Sequence, residues 1–101
     1  MKRLFFLLSI ILFLETPLHA EKIAVYFGTG GRGSKGIYMS KFDTESGKLS
    51  QASVAAEING PGFLAWHPDR TKIYAVAGIE GGPGVAGFHV KKDGSLEQFT
   101  S

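Results

Sequence analysis

Two stretches of this chain, KIAVYFGTGGRGSKGIYMSKFDTESGKLSQ (residues 22–51) and KIYAVAGIEGGPGVAGFHVKKDGSLEQ (residues 72–98), follow one plan. Each opens with Lys-Ile and an apolar run, then passes a glycine-rich segment. Each resumes at Gly36-Ile37 or Gly84-Val85 and crosses a polar turn. The first closes on Gly47-Lys48-Leu49-Ser50-Gln51 and the second on Gly94-Ser95-Leu96-Glu97-Gln98. The offset is 50 between Lys22 and Lys72, 48 between Gly36 and Gly84, and 47 between Gly47 and Gly94. The chain therefore carries an internal repeat of about fifty residues.

The units of the repeat are strands. Short runs rich in β-branched and aromatic residues, bounded by Gly, Pro and Asp, read as strands with turns between them. Such runs fall at residues 23–27, 37–42, 63–66, 73–77, 85–90 and 96–99, with a weaker one at 49–58. Asn59-Gly60-Pro61-Gly62 reads as the turn that closes the weak run, and a glycine-rich loop is expected after Ala77. No stretch beyond residue 20 has a helical period. Four strands in a unit of forty to fifty residues is the pattern of a β-propeller blade. The expected fold is thus all-β, with blades of four antiparallel strands and about two blades in this length. Residues 63–66 are then the innermost strand of one blade, and residues 22–58 supply the last three strands of the blade before it. Runs 23–27 and 73–77 are apolar at both strand parities, which predicts burial from both sides. Phe63 and Trp66 are expected as core anchors, and residues 96–99 as an outer strand that admits Glu97 and Gln98.

The first twenty residues differ in kind. Lys2 and Arg3 precede an apolar run over residues 4–14, broken only by Ser9, and Ala20 ends the segment. A basic start, a short apolar stretch and a small residue at the cut describe a secretory signal peptide. The run is well short of the roughly twenty residues a helix needs to span a bilayer. The expectation is a signal-peptide helix over residues 1–20, cleavage after Ala20, and a periplasmic or secreted product in residues 21–101. No lasting membrane anchor is expected after cleavage. Lys2, Arg3 and Glu15 account for +1 of the formal net charge of +2, and the remaining charges are interspersed. No basic patch points to nucleic acid. Cysteine is absent, so neither a disulfide nor a thiolate metal site is expected.

Several segments carry a family resemblance. They are Val25-Tyr26-Phe27-Gly28-Thr29, Ser34-Lys35-Gly36-Ile37-Tyr38 and Phe42-Asp43-Thr44-Glu45-Ser46-Gly47-Lys48-Leu49. They continue with Pro61-Gly62-Phe63-Leu64-Ala65-Trp66-His67-Pro68 and Ile73-Tyr74-Ala75-Val76. In order and spacing they resemble the start of the lactonase family of seven-bladed β-propellers, which includes 6-phosphogluconolactonases and carboxymuconate cyclase-like proteins. The resemblance implies hydrolysis of a cyclic ester, with a lactone or sugar-derived small molecule as substrate and no cofactor. In that family the strand matching residues 73–76 is commonly followed by Asn-Glu, with the acid near the central channel. Here Ala77-Gly78 stands in that place and Glu80 follows two residues later.

Lactone hydrolysis needs a base for water and donors where the oxyanion develops. His67 and Glu80 are the candidate catalytic pair, as channel-side base and polar contact. Arg32 and Lys35, in the glycine-rich loop, are candidates to receive an anionic substrate. Gly28-Thr29-Gly30-Gly31-Arg32-Gly33 fits G-x-G-x-x-G, yet a strand pattern follows where a dinucleotide fold requires a helix. His67 precedes Pro68 and is also expected to cap a turn through its imidazole, and His89 to pack or face solvent. A ring of four to eight blades needs roughly 160–400 residues. This length therefore predicts open apolar faces, completed by further blades or by self-association. The chain is expected to be the N-terminal portion of an exported lactonase-like hydrolase, inactive on its own. The competing expectation is a non-catalytic extracytoplasmic propeller scaffold for a ligand or a protein.

Overall fold

A computed structural model describes residues 21–101, so the signal-peptide expectation for residues 1–20 lies outside the described residues. Every regular element among the described residues is a strand. They are β1 (Lys22–Phe27), β2 (Gly36–Asp43), β3 (Ser53–Glu57), β4 (Asn59–Trp66), β5 (Lys72–Ile79), β6 (Gly82–Val90) and β7 (Leu96–Thr100). They form a three-stranded sheet ordered β1-β2-β3 and a four-stranded sheet ordered β4-β5-β6-β7, all antiparallel. Sheet order equals chain order in both, the meander that a blade requires. β4 is an edge strand of its sheet, and residues 22–58 supply the three strands of the other, as the repeat predicts.

Three boundaries differ from the sequence reading. Asn59-Gly60-Pro61-Gly62 is not a free turn but the bulged start of β4, with the register slipping between Asn59 and Phe63. The bulge absorbs extra residues where the chain leaves one sheet for the other, which is a usual place for one. The segment after Ala77 is not a loose loop either. Strands β5 and β6 stay paired out to Ile79 and Gly82, leaving only Glu80 and Gly81 at the tip. The weak run at 49–58 divides into an isolated bridge from Leu49 to Phe42 and the strand β3.

The two sheets pack face to face around Ile37, Ala55, Ile73, Ala75, Ala86, Phe88 and Leu96, with Tyr26, Met39, Leu64 and Val90 against them. Strand alternation decides which residues reach this seam. On β5, Ile73, Ala75 and Ala77 point inward and are buried, while Val76 and Gly78 are exposed. The expected burial of residues 23–27 and 73–77 from both sides is therefore corrected. Each sheet meets one neighbour, and its other face is open. Phe63, expected as a core anchor, is 67% exposed for the same reason, since it shares a face with its partner Val76. Trp66 is also exposed, at the end of the inner edge strand; it meets the Tyr26 ring edge-on at 5.8 Å between centroids. Tyr26 then crosses the seam, its hydroxyl donating to the Gly94 carbonyl at 2.6 Å. Burial, assisted by the nearby Asp93 charge, pushes the Tyr26 phenol up.

Candidate functional site

Chain reversal at each hairpin assigns the loops to two rims. The β1–β2 loop, the β5–β6 turn and the β3–β4 junction lie on one rim. The β4–β5 and β6–β7 turns lie on the other. Arg32, Lys35 and Glu80 share the first rim, whereas His67 belongs to the second. One full strand, Lys72–Ile79, separates the turn of His67 from that of Glu80. At about 3.3 Å per residue the separation is roughly 25 Å, so the structure does not bring this candidate pair together.

The loop that carries Arg32 and Lys35 is held at its base. Thr29 Oγ1 donates to the Gly36 carbonyl at 2.6 Å and also meets the Ser34 hydroxyl. Ser34 N–H donates to Gly31 O at 3.2 Å, which closes a tight turn around Arg32 and Gly33. Lys35 is fixed from both sides of its peptide: its N–H donates to the Tyr38 hydroxyl at 3.2 Å, and its carbonyl accepts from Ile58 N–H at 3.1 Å. The second bond ties the loop to the point where the chain crosses between sheets. Gly28 completes the base. A methyl group there would run into the Pro61 carbonyl oxygen, so β1 and β4 approach closely only because this residue lacks a side chain.

Both cationic side chains are exposed. Among the described residues the ion pairs centre on Asp69, which leaves Arg32 and Lys35 outside them. Beneath the loop an open trough of about 760 Å3 is lined by Phe27, Thr29, Arg32, Ser34, Tyr38 and Leu49. A second open trough, of about 590 Å3, lies beneath the Glu80 turn and is lined by Asn59, Phe63, Val76 and Pro83. Thr29 and Ser34 were not singled out from the sequence. The signal for them is the pair of hydroxyl residues bracketing a cation inside a glycine run.

The His67 rim is built for turning. The imidazole Nδ1 accepts the Asp69 N–H at 3.2 Å, the turn-capping role expected of it. Asp69 Oδ1 accepts from the Thr71 N–H at 2.9 Å and from the Thr71 hydroxyl at 2.7 Å. These bonds, backbone first, hold the Asp69 carboxyl well below the usual carboxylate range. The β6–β7 turn repeats the device: Asp93 accepts from the Ser95 hydroxyl and N–H, which lowers its carboxyl likewise. Both are short turns in which an Asp side chain stands in for a backbone acceptor. With Nδ1 engaged, His67 has only Nε2 for a ligand. His89 stacks on Phe99, with ring centroids 4.5 Å apart. No cluster of metal-ligating side chains is present among the described residues.

Serial antiparallel meanders stacked face to face define a β-propeller protein. The family model for the seven-bladed β-propeller lactonases matches residues 24–101, and the chain belongs to that family. A Bacillus subtilis (strain 168) protein named 6-phosphogluconolactonase is 35% identical over 69 residues, which is 67% of this chain and 20% of that relative. A Bacteroides uniformis structure described as a candidate 6-phosphogluconolactonase superposes with a TM-score of 0.68 at 26% identity. That match covers 78% of this chain and 24% of the other. A Bacteroides fragilis structure of like description gives a TM-score of 0.67 at 28% identity, over 78% of this chain and 23% of the other. The chain thus spans about a fifth to a quarter of the length of the relatives it matches.

Proposed function

We propose that this chain contributes the anion-receiving edge of an exported lactonase, an enzyme that opens a sugar-derived cyclic ester by adding water. In that reaction water adds to the ester carbonyl, the ring C–O bond breaks, and a carboxylate and a hydroxyl result. The observation that carries the reading is the braced loop presenting Arg32 and Lys35 without acidic partners. Guanidinium and ammonium groups free of carboxylates suit a phosphate or carboxylate substituent. The name of the B. subtilis relative supports an anionic lactone as substrate. Glu80, on the same rim, is the polar contact closest in role to the acid of the family pattern, and His67 remains a base candidate only for chemistry on the opposite rim. Among the described residues His67 and Glu80 stand on opposite rims and do not form a catalytic pair, and the described part is expected to bind substrate without turning it over.

Titration calorimetry of the chain with a phosphorylated aldonate tests this. Arg32→Ala/Lys35→Ala is expected to weaken binding about tenfold, the scale of charge-assisted contacts discounted for exposure, and added salt should weaken it further. Equal affinity for the parent and the double variant would sink the reading and favour the non-catalytic scaffold. Export is proposed on the leader pattern of residues 1–20. Mass spectrometry of protein recovered from the periplasm or medium should find a chain beginning at Glu21. Retention of residues 1–20 would count against cleavage.

A further inference from the structure

The crossing from the first sheet to the second holds the sole asparagine of the chain, Asn59, followed directly by Gly60. Asn59 opens β4 opposite Gly78, and the register then slips until Phe63 meets Val76. Gly60, Pro61 and Gly62 therefore have no partner residue on β5. Gly60 sits at φ +58°, and no atom lies within 4 Å of where a side chain would begin. The Asn59 side chain lies across Gly78, its amide nitrogen 3.0 Å from the place a methyl group on Gly78 would take.

This arrangement favours a reaction inside the dipeptide. The Gly60 nitrogen can close a five-membered ring on the Asn59 side-chain carbonyl carbon, and an intramolecular nucleophile held so near has a large effective concentration. A residue with a Cβ after asparagine crowds the approach, whereas glycine leaves it open and bends freely. A bulge outside the ladder is also the part of a strand that opens most cheaply.

We propose that Asn59-Gly60 is a site of spontaneous covalent modification, at which the side-chain amide is lost to water through a cyclic imide. Gly60 N bonds to Asn59 Cγ while the Cγ–Nδ2 bond breaks, and ammonia leaves with the proton given up by Gly60 N. Water then opens the imide. Opening at the side-chain carbonyl leaves an aspartyl residue. Opening at the main-chain carbonyl leaves an isoaspartyl residue, whose backbone runs through the former side chain and is longer by one methylene. Water is consumed, ammonia is released, and nothing is oxidised or reduced. Either product places a carboxylate on the rim that carries Arg32 and Lys35. The inference rests on the β4 bulge, and not on the lactone reading.

Asp93-Gly94 is an internal contrast, because an aspartyl-glycine pair can form the same imide. There Asp93 Oδ1 accepts from the Ser95 N–H at 2.9 Å and from the Ser95 hydroxyl at 2.6 Å. These bonds favour the ionised carboxylate, a poor electrophile. The Gly94 N–H is itself engaged, donating to the Lys91 carbonyl at 3.0 Å. The structure thus separates two glycine-following sites of similar sequence into one open and one locked.

Ageing the full chain in mildly alkaline buffer, folded and in urea, tests the proposal. Trypsin then releases residues 49–70, with Asn59, and residues 93–101, with Asp93. The first peptide from the folded chain should gain the mass of an amide-to-acid exchange and accept methyl groups from an isoaspartyl-specific carboxyl methyltransferase. Its rate should lie within about tenfold of the rate in urea, as for a segment that opens at little cost. The second peptide should accept no methyl groups unless the chain was aged in urea. Asn59→Gln, which would need a larger ring, should abolish both signals in the first peptide. Three results would overturn the proposal: a folded chain that reacts more than tenfold slower than the unfolded one, equal methylation of the two peptides in the folded chain, or a mass gain that survives Asn59→Gln and so belongs to Gln51.

Discussion

Phe88→Ala is expected to abolish cooperative unfolding of this chain at room temperature. Phe88 is among the largest fully buried side chains and sits at the centre of the only packed seam among the described residues. Truncating a buried Phe costs about 3–5 kcal/mol, transfer and cavity terms together. A domain of this size buries a modest share of its surface and stands at the low end of the usual stability range, about 5 kcal/mol. The loss is therefore comparable with the whole. Trp66 is the single tryptophan and touches Tyr26 across the seam, so its fluorescence in urea reports the contact directly. The repeat provides an internal control. Ile73→Ala should cost about 2–5 kcal/mol, whereas Ile23→Ala, at the equivalent strand position but half exposed, should cost about 1 kcal/mol or less at concentrations where the chain is monomeric. A Phe88→Ala chain with the parent's urea midpoint would show that the seam does not hold the sheets together.

That contrast also marks how far the sequence could be read. Ile23 and Ile73 occupy the same place in the repeat, and strand type, order and hairpin direction follow from the repeat alone. Their burial does not follow, because it depends on whether a neighbouring sheet covers that face. The same gap explains Phe63, whose apolar character is visible but whose open face is a property of the stack. Asn59 to Gly62 has the composition of a turn, and the bulge that draws it into β4 comes from the crossing between sheets, which no local signal records. His67 was legible as a turn cap because His-Pro-Asp places a side-chain acceptor two residues before a backbone donor. The separation of His67 from Glu80 was also within reach: one predicted strand, residues 73–77, lies between them, and a single strand always carries its two ends to opposite rims. Thr29 and Ser34 were obscured because hydroxyl residues in a glycine run are common in turns of every kind.

Gly36→Ala should be nearly as damaging as loss of Phe88, and by a different route. Gly36 opens β2 with φ at +151°, a backbone conformation that residues with a side chain rarely adopt. A methyl group there would meet the Ala56 carbonyl oxygen, with Ile58 N at 2.6 Å and Glu57 Cα at 3.0 Å. All three are backbone atoms of the end of β3 and the crossing that follows it, so no side-chain rotation relieves the clash. Backbone strain of about 1–3 kcal/mol and overpacking of about 1–3 kcal/mol together give an expected loss of about 2–6 kcal/mol. The effect should reach the β1–β2 loop as well. Gly36 O accepts from Thr29, and Lys35 O accepts from Ile58 N–H at the same crossing, so displacing Gly36 loosens both ends of the loop bearing Arg32 and Lys35. Gly30→Ala is the matched control: it lies in the same loop with no atom within 4 Å of the added methyl. It should leave the urea midpoint within about 0.5 kcal/mol of the parent and anion affinity unchanged. If Gly36→Ala and Gly30→Ala behave alike in both measurements, the close approach at the start of β2 does not shape the loop, and the placement of Arg32 and Lys35 needs another cause.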